Sequence, residues 1–318
     1  MQNKKPKIIF AGTPQFSVPT LKLLYDSGYE VCLVLTQPDR KSGRGMKVTQ
    51  SPVKKYSIAH NLPLYQPEKL LNNEEVKNKI LSLKPNILIV VAYGLIIPTE
   101  FLKIFLHKYN IHASLLPRWR GAAPIHRAIE AGDSTTGVTI MSVIPELDAG
   151  PMIEKEKIKI KDSDTTGSLN KCLSEIGAKL MLKVLQNIEA GKTINLVSQN
   201  DSEASYAHKI KKNESILNKN ESANLVCRKV RAFNPYPVVN CIFREKRIKI
   251  WETNITDIKK HSKINLEPGN FIVIKESLYL QLYDKAIKII KIQPEGSRPM
   301  SAEEFINGYS VVTGESIT

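Results

Sequence analysis

The sequence has few cysteines, and they lack the spacing of a metal site or a disulfide framework. Cys32, Cys172, Cys227 and Cys241 are the four cysteines among 318 residues. They are scattered, without a CxxC pair or a companion histidine pattern. A structural zinc site needs such ligands at short, regular spacings, and disulfide-rich domains carry many more cysteines. The sequence therefore supports neither arrangement, and we expect no metal ion.

Long apolar segments are also missing. The sequence has no run of eighteen or more apolar residues, which disfavours a membrane-spanning helix. Residues 1–6 lead into the first predicted strand without the apolar core of a secretory signal. These two absences lead us to expect a cytoplasmic protein with reduced cysteines.

A third absence concerns glycine in the first turn. Residues 7–10 predict a buried strand, a helix follows around residues 21–25, and residues 31–36 predict a second strand, which together indicate a βαβ unit and a parallel sheet. The turn after the first strand holds one glycine, Gly12, where the dinucleotide fingerprint GxGxxG needs three. A nicotinamide-dependent dehydrogenase is therefore disfavoured.

Positive charge is what the sequence has in excess. It contains 46 lysines and arginines against 31 acidic residues, a formal net charge of +15. Such a balance favours a polyanionic partner, with nucleic acid first and a membrane surface second. The alternative is a genome rich in lysine codons, which would make many unrelated proteins of the cell basic. Charge alone does not decide between the two.

The most informative stretch is residues 109–124, Tyr-Asn-Ile-His-Ala-Ser-Leu-Leu-Pro-Arg-Trp-Arg-Gly-Ala-Ala-Pro. Asn110 and His112 are two positions apart, so on a strand they lie on the same side. Asp148 follows in Glu-Leu-Asp-Ala-Gly. An amide, an imidazole and a carboxylate suit an acyl-type transfer in which charge develops on a carbonyl oxygen. From spacing alone, a core histidine and a turn aspartate remain the alternative.

The amino-acid sequences of these motifs resemble those of a known family. Asn-Ile-His-Ala-Ser-Leu-Leu-Pro with a later Leu-Asp-x-Gly is similar to the signature of the 10-formyltetrahydrofolate-dependent formyltransferases. The longer run through Pro-Arg-Trp-Arg-Gly-Ala-Ala-Pro-Ile, with Phe-Ala-Gly-Thr-Pro at residues 10–14 and Thr-Gln-Pro-Asp-Arg at residues 36–40, most resembles the members that act on methionyl-tRNA. The resemblance extends from about residue 7 to about residue 307. It implies formylation of the α-amino group of initiator methionyl-tRNA, giving N-formylmethionyl-tRNA for translation initiation.

The resemblance also implies roles for particular residues. Asn110 and His112 would stabilise the oxyanion, while Asp148 would keep His112 protonated and accept the proton of the amine. The turn after a strand predicted at residues 86–91, together with the segment that follows His112, would bind the folate cosubstrate. These folate-binding candidates are Tyr93, Gly94, Leu95, Ser114, Leu115, Leu116 and Pro117.

A basic loop at residues 37–50 is the first candidate for tRNA contact. By resemblance it would insert into the acceptor arm, with Arg44 at the position of the key arginine. The alternative is a solvated surface loop. The remaining tRNA-binding candidates are basic residues of this loop and of the C-terminal region, where phosphate contact would be largely independent of sequence. They are Arg40, Lys41, Lys47, Lys209, Lys211, Lys212, Arg244, Lys246 and Arg247.

The predicted organisation has two domains. Residues 1–194 would form an α/β domain with a Rossmann-like parallel sheet, the formyltransferase catalytic domain. The polar residues 195–206 are interpreted as a linker. Residues 207–318 combine a helix with short alternating strands, and the resemblance implies an OB-like β-barrel that binds tRNA. Residues 309–318 are expected to end loosely, and a monomer is expected because no apolar helix is left unpaired.

Two competing hypotheses remain at this point. A relative with the same chemistry could formylate a small amine, such as a nucleotide-linked amino sugar, but it would have no use for the basic loop. A non-enzymatic RNA-binding protein could retain the fold without activity. A dead site has no physical reason to keep Asn110, His112 and Asp148 together. Folate binding would discriminate such an inactive protein, which should show none, from an enzyme.

Overall fold

The computed structural model describes residues 5–42, 45, 47–256 and 267–318. Its backbone divides into two compact units. The first unit comprises residues 1–124, 136–158 and 170–207, and the second comprises residues 125–135, 159–169 and 208–318. Two short stretches, residues 125–135 and 159–169, therefore belong with the second unit although they precede its main stretch.

The first unit is built on a seven-stranded sheet in the order β10-β9-β7-β6-β1-β2-β5. The predicted parallel sheet is confirmed across β5, β2, β1, β6 and β7, and β9 adds an antiparallel strand beside β7. Its strands are β1 (Lys7–Gly12), β2 (Glu30–Leu35), β5 (Leu64–Tyr65), β6 (Ile87–Val91), β7 (His107–His112), β9 (Thr135–Ser142) and β10 (Met152–Lys159). β10 lies at the edge.

The central strands are apolar because helices cover them. The α-helices that precede residue 208 are α1 (Val18–Asp26), α2 (Pro52–Ala59), α3 (Glu74–Leu83), α4 (Thr99–Leu102), α5 (Pro124–Ala131) and α6 (Thr166–Glu189). Ile9, Leu33 and Leu88 from three neighbouring strands belong to one buried cluster. Continuous apolar runs such as β6 are expected when both faces of a parallel strand are buried.

Two small β-pairs accompany this sheet. In the basic loop, β3 (Arg40–Ser42) pairs antiparallel with β4 (Lys47–Thr49). Asp39, just before β3, accepts hydrogen bonds from Lys54 Nζ at 2.7 Å and from Gln66 Nε2 at 2.8 Å. The base of the loop is thus fixed to the domain. In the second pair, β8 (Arg120–Gly121) lies parallel to β11 (Tyr206–Ala207).

The main stretch of the second unit, residues 208–318, is an antiparallel β domain whose described residues include the α-helices α7 and α8. The strand order is β12-β13-β16-β15-β14, and β17 pairs with β16. Phe243, Phe271 and Phe305 form an aromatic cluster at its core. The elements are α7 (Ala223–Ala232), β12 (Val239–Phe243), β13 (Lys246–Ile255), β14 (Phe271–Ile274), β15 (Ser277–Gln281), β16 (Ala286–Pro294), β17 (Met300–Ser301) and α8 (Ala302–Tyr309).

The C-terminal segment closes this sheet, so the expectation that residues 309–318 end loosely is wrong. Phe271 of β14 donates its N–H to Glu315 O at 2.7 Å. Ile242 of β12 and Thr318 exchange two backbone hydrogen bonds, each 2.9 Å long. The edge strands β12 and β14 are thereby joined through the tail, as a barrel requires. Ile317 is buried at 2% exposure.

No helix among the described residues is long and apolar enough to cross a membrane. Across the same residues, no group of three or more histidine, cysteine, aspartate or glutamate side chains is arranged to hold a metal ion.

Candidate active site

Strand β7 presents the first two site residues. It lies between β6, to which it is parallel, and β9, to which it is antiparallel. Asn110 and His112 share one side of the strand because side chains alternate. His112 is buried at 6% exposure, whereas Asn110 is partly accessible. The strand therefore places an amide and an imidazole together at the carboxyl edge of the parallel sheet, where α/β folds bind their ligands.

The third residue, Asp148, comes from the loop after β9. Since β9 runs antiparallel to β7, it ends with Ser142 opposite Tyr109, at the far end of β7 from His112. The strand itself does not carry Asp148 to the site. Instead the loop of residues 143–151 brings it back. Asp148 has a φ of +48°, a left-handed conformation that Asp tolerates better than most residues.

Asp148 joins the site residues through both carboxylate oxygens. Its Oδ1 accepts a hydrogen bond from Asn110 Nδ2 at 3.3 Å. Its Oδ2 accepts the backbone N–H of Gly121 at 2.8 Å and lies 3.6 Å from His112 Nδ1. The carboxylate is thus the common partner of the amide, the imidazole and the turn at β8.

Both nitrogens of His112 face acceptors. Nδ1 faces the Asp148 carboxylate, and Nε2 lies 2.8 Å from the carbonyl oxygen of Trp119. A neutral imidazole has one N–H and one lone pair, so it cannot donate to both oxygens. The N–H on Nε2 donates to the Trp119 carbonyl, and Nδ1 lies beside the carboxylate but beyond hydrogen-bond distance.

This arrangement suits stabilisation of an oxyanion. Asn110 uses one amide hydrogen for Asp148, and within the described residues its second amide hydrogen has no hydrogen-bond acceptor. An amide N–H and an imidazole N–H are donors of the kind that stabilise the charge formed during acyl transfer. Asp148 can also accept a proton from an attacking amine. Of the catalytic residues predicted from the sequence, the structure brings all three together.

Two further polar residues support this site and were missed by the sequence reasoning. Arg120 is buried at 3% exposure, and its Nε donates to Gln199 Oε1 at 2.9 Å. Gln199 Nε2 in turn donates to the carbonyl oxygens of Asp148 and Gly150, each at 2.8 Å. Gln199 belongs to the segment interpreted as a linker. A buried arginine in the longest motif was the available signal, because such a group needs partners.

The turn after β6 is shaped by backbone geometry. Gly94 has a φ of +82°, and a Cβ there would lie 2.2 Å from Gln37 Nε2. Gln37 Nε2 and Thr13 Oγ1 both donate to the carbonyl oxygen of Tyr93, at 3.1 and 2.8 Å. The loops after β1, β2 and β6 are therefore tied together at the same edge of the sheet as His112. Thr13 and Gln37 are additions to the residues predicted from the sequence.

The folate-binding candidates differ in how they are placed. The side chain of Tyr93 is buried in the core at 2% exposure, and burial raises the pKa of its hydroxyl. Leu116 is equally buried, at 1%. Gly94 is exposed, and Leu95, Leu115 and Pro117 are partly exposed. Hence the exposed backbone of the turns and these partly exposed side chains, rather than the Tyr93 ring, are what a ligand can reach.

The segment after His112 is fixed by hydrogen bonds to the next strand. Thr139 Oγ1 donates to Ser114 O at 2.7 Å and accepts from Leu116 N at 3.2 Å. Ser114 Oγ donates to Arg118 O at 2.6 Å, so this hydroxyl is used inside the turn. The segment is preformed, which is typical of ligand sites.

The tRNA-binding candidates of the basic loop lie on the hairpin formed by β3 and β4. Arg40, Lys41 and Lys47 are exposed. Arg44 lies outside the described residues, between the two strands. In the register of the two strands, Lys41 lies opposite Val48.

The C-terminal candidates are exposed but not equivalent. Lys209, Lys211, Lys212, Lys246 and Arg247 are exposed in the second unit. Arg244 is held by its own domain: its Nε and Nη2 bind the two carboxylate oxygens of Glu315, each at 2.7 Å, and its Nη1 donates to Tyr309 O at 2.7 Å. Its guanidinium therefore helps to hold the C-terminal tail.

Comparison with protein families gives two matches. The family model described as formyl transferase matches residues 6–185, and the model of the formyl transferase C-terminal domain matches residues 209–310. Together they account for most of the chain. Asn110, His112 and Asp148 fall within the first match.

Individual proteins agree with these matches. A methionyl-tRNA formyltransferase of Methylococcus capsulatus is 44% identical over 306 residues, covering 96% of this chain and 97% of the relative. Among solved structures, an N-formyltransferase from Helicobacter canadensis, in complex with folinic acid and dTDP-3-aminofucose, aligns with a TM-score of 0.66 at 20% identity and covers 91% of this chain and 99% of its own. A methionyl-tRNA formyltransferase from Clostridium thermocellum aligns with a TM-score of 0.56 at 18% identity over 79% of this chain and 94% of its own.

Proposed function

Because the chain belongs to the methionyl-tRNA formyltransferases of the formyl transferase family, we propose that it transfers the formyl group of 10-formyltetrahydrofolate to the α-amino group of initiator methionyl-tRNA. The product is N-formylmethionyl-tRNA, the substrate of translation initiation. The observation that carries the proposal is the position of Asp148, whose two carboxylate oxygens face Asn110, Gly121 N–H and His112. We propose that the protein acts in the cytoplasm, where aminoacyl-tRNA is used. We also propose that it is a monomer.

The uncharged amine attacks the formyl carbon, a new C–N bond forms, and a tetrahedral oxyanion results. The free amide hydrogen of Asn110 and the imidazole of His112 stabilise this oxyanion. Asp148 accepts the proton that the amine loses, directly or through a water molecule. Collapse of the oxyanion breaks the bond to N10, and the proton that Asp148 accepted passes to that nitrogen, which completes tetrahydrofolate as the product. No covalent intermediate with the protein is needed.

The folate cosubstrate is proposed to lie at the carboxyl edge of the sheet. The turn at Gly94 and Leu95 and the segment of Ser114–Pro117 follow the neighbouring parallel strands β6 and β7, so both emerge at the edge that holds Asn110. Backbone N–H and C=O groups of such turns are suited to a pterin ring, which carries donors and acceptors along one side.

The tRNA is proposed to contact the basic hairpin and the exposed lysines of the second unit. Arg40, Lys41, Arg44 and Lys47 form the hairpin group, and phosphate contacts of this kind are sensitive to salt. A formyltransferase for a small amine would have no use for such a ribbon. The hairpin is thus the feature that favours an RNA acceptor over a nucleotide-linked amino sugar.

The decisive experiment is formylation by the purified chain with 10-formyltetrahydrofolate, using methionyl-tRNA and a free small amine as separate acceptors. Asn110→Ala should lower kcat for methionyl-tRNA on the order of 10²–10³-fold, the usual cost of a lost oxyanion donor, with tRNA binding close to wild type. Arg44→Ala should instead raise KM for the tRNA. Lys77→Ala, which removes a partly exposed lysine paired with Glu74 on α3, is the matched control.

Formylation of the small amine alone would overturn the tRNA assignment while leaving the catalytic residues in place. Wild-type turnover by Asn110→Ala would overturn the catalytic assignment. Folate binding without transfer to either acceptor would refute the proposed reaction itself.

A further inference from the structure

Gln199 has an unusually complete set of contacts for a side chain in a polar connecting segment. Its Nε2 donates to two carbonyl oxygens, those of Asp148 and Gly150, at 2.8 Å each. Its Oε1 accepts from Arg120 Nε at 2.9 Å. These are contacts across 51, 49 and 79 residues of sequence, and all four residues lie in the first unit.

The arginine fixes which way the amide faces. A guanidinium only donates, so the atom of Gln199 that faces Arg120 must be the carbonyl oxygen. The NH2 group is then directed at the loop, where two backbone carbonyls receive its two hydrogens. Arg120 is itself buried, and its Nη2 pairs with Asp201 at 2.8 Å. The amide orientation follows from the donors and acceptors around it.

The loop that receives these bonds needs an external constraint. Asp148 lies in the left-handed region at a φ of +48°. Gly150 has no space for a side chain, because a Cβ there would lie 1.9 Å from the carbonyl oxygen of Ser142. Residues held in sparsely populated conformations cost roughly 1–3 kcal/mol and persist only when their surroundings determine them. Gln199 supplies hydrogen bonds on both sides of the strained peptide.

We propose that Gln199 is a positioning residue for formyl transfer: it acts through Asp148 by fixing the backbone conformation that aims the carboxylate at Asn110 and His112. This inference rests on the proposed function, since it assigns Gln199 a role in the same reaction. Gln199 contacts no reacting atom, and Arg120 orients its amide.

The first test is Gln199→Ala, measured by steady-state formylation of methionyl-tRNA. Loss of the two bonds to the loop lets Asp148 shift, and kcat should fall roughly 10- to 100-fold, as for other groups that orient a catalytic residue. KM for methionyl-tRNA should stay at the wild-type value, because Gln199 lies outside the basic hairpin. The matched control is Asn200→Ala, which removes a neighbouring amide that bonds Ser202 instead.

A second variant separates the two ends of the amide. Gln199→Glu keeps the length of the side chain and an oxygen for Arg120, but it puts an acceptor where two carbonyls need a donor. It should be as impaired in kcat as Gln199→Ala, although its ion pair with Arg120 keeps the segment in place and its thermal unfolding near wild type. Wild-type kcat in Gln199→Glu would overturn the inference.

A double-mutant cycle tests whether the effect passes through Asp148. In an Asp148→Asn background, Gln199→Ala should change kcat little further, because the group that it positions has already lost its charge. Multiplicative losses of kcat would overturn the proposal, as would a rise in KM at unchanged kcat. If wild type formylates no methionyl-tRNA, the proposed function fails on that result alone, before any Gln199 variant is compared.

Discussion

Substitution of Gly150 by alanine tests how strictly the Asp148 loop must be placed. The Cβ of an alanine would lie 1.9 Å from Ser142 O, a backbone atom of the strand beside β7. Ordinary contact needs about 3.5 Å, so the loop must move by about 1.5 Å. Gly150 is two residues from Asp148, whose bonds to Gly121 N and Asn110 Nδ2 are 2.8 and 3.3 Å long. A shift of this size breaks both.

The expected loss of activity is larger than the expected loss of stability. Overpacking costs typically about 1–3 kcal/mol, against about 5–15 kcal/mol for the whole stability of a folded domain. Gly150→Ala should therefore stay folded. A misplacement of about 1 Å at a catalytic group costs on the order of 10²-fold in rate, so kcat should fall by about that factor.

The assay is kcat for formylation of methionyl-tRNA, with circular dichroism and thermal unfolding measured on the same preparation. Gly308→Ala is the control, because Gly308 lies in α8 with no atom within 4 Å of an added Cβ among the described residues. That variant should match wild type. If a folded Gly150→Ala keeps kcat within about threefold of wild type, the argument that loop position limits turnover is refuted.

Two further predictions concern stability of the second unit. The hydrogen bond from Arg127, 2.7 Å long, lowers the pKa of the Glu214 carboxyl. A carboxylate whose pKa is lowered by folding stabilises the folded state above its unfolded pKa, and this stabilisation is lost as the pH falls through the folded pKa. Glu214→Gln should therefore lower the free energy of unfolding, measured in urea, by about 1 kcal/mol at neutral pH and by progressively less below about pH 4, and an equal cost at both pH values would contradict the ion pair. Ile317→Ala should lower the free energy of unfolding by about 2–4 kcal/mol because Ile317 is 2% exposed. Val312, which is 59% exposed, provides the control, and Val312→Ala should change the free energy of unfolding little. Equal melting temperatures for the two variants would show that the tail does not close the barrel.

The site was predictable where its chemistry is local in sequence. Asn110 and His112 are two residues apart on one strand, so alternation alone puts them on the same face. Asp148 could be identified as a site residue, but the loop that brings it to His112 could not be predicted, because that loop depends on the direction of β9. A strand of residues 135–142 looks the same in either direction, and only the pairing with β7 shows that a returning loop is needed.

Residues whose role depends on backbone pairing were not predictable. The tail of residues 311–318 has little regular alternation, and its stabilising bonds run through the main chain to Phe271 and Ile242. Sequence patterns report side-chain burial and carry little information on such pairing. Tyr93 shows the converse: its turn was identified, but its ring packs inward with the apolar cluster, because its neighbours in space are core residues.

Residues 199 and 205, within the stretch interpreted as a linker, contact the site through their side chains. Asp148 has a φ of +48° and Trp119 a φ of +65°, and a bulky residue such as Trp is rarely found in this region. Trp119 N donates to Ser205 Oγ at 3.0 Å, and Gln199 donates to Asp148 O. Each strained residue therefore has a hydrogen bond to the same segment. Since strain persists only where the surroundings determine it, Gln199 and Ser205 support the site: Ser205 holds the residue whose carbonyl faces His112, and Gln199 holds the loop that carries the carboxylate.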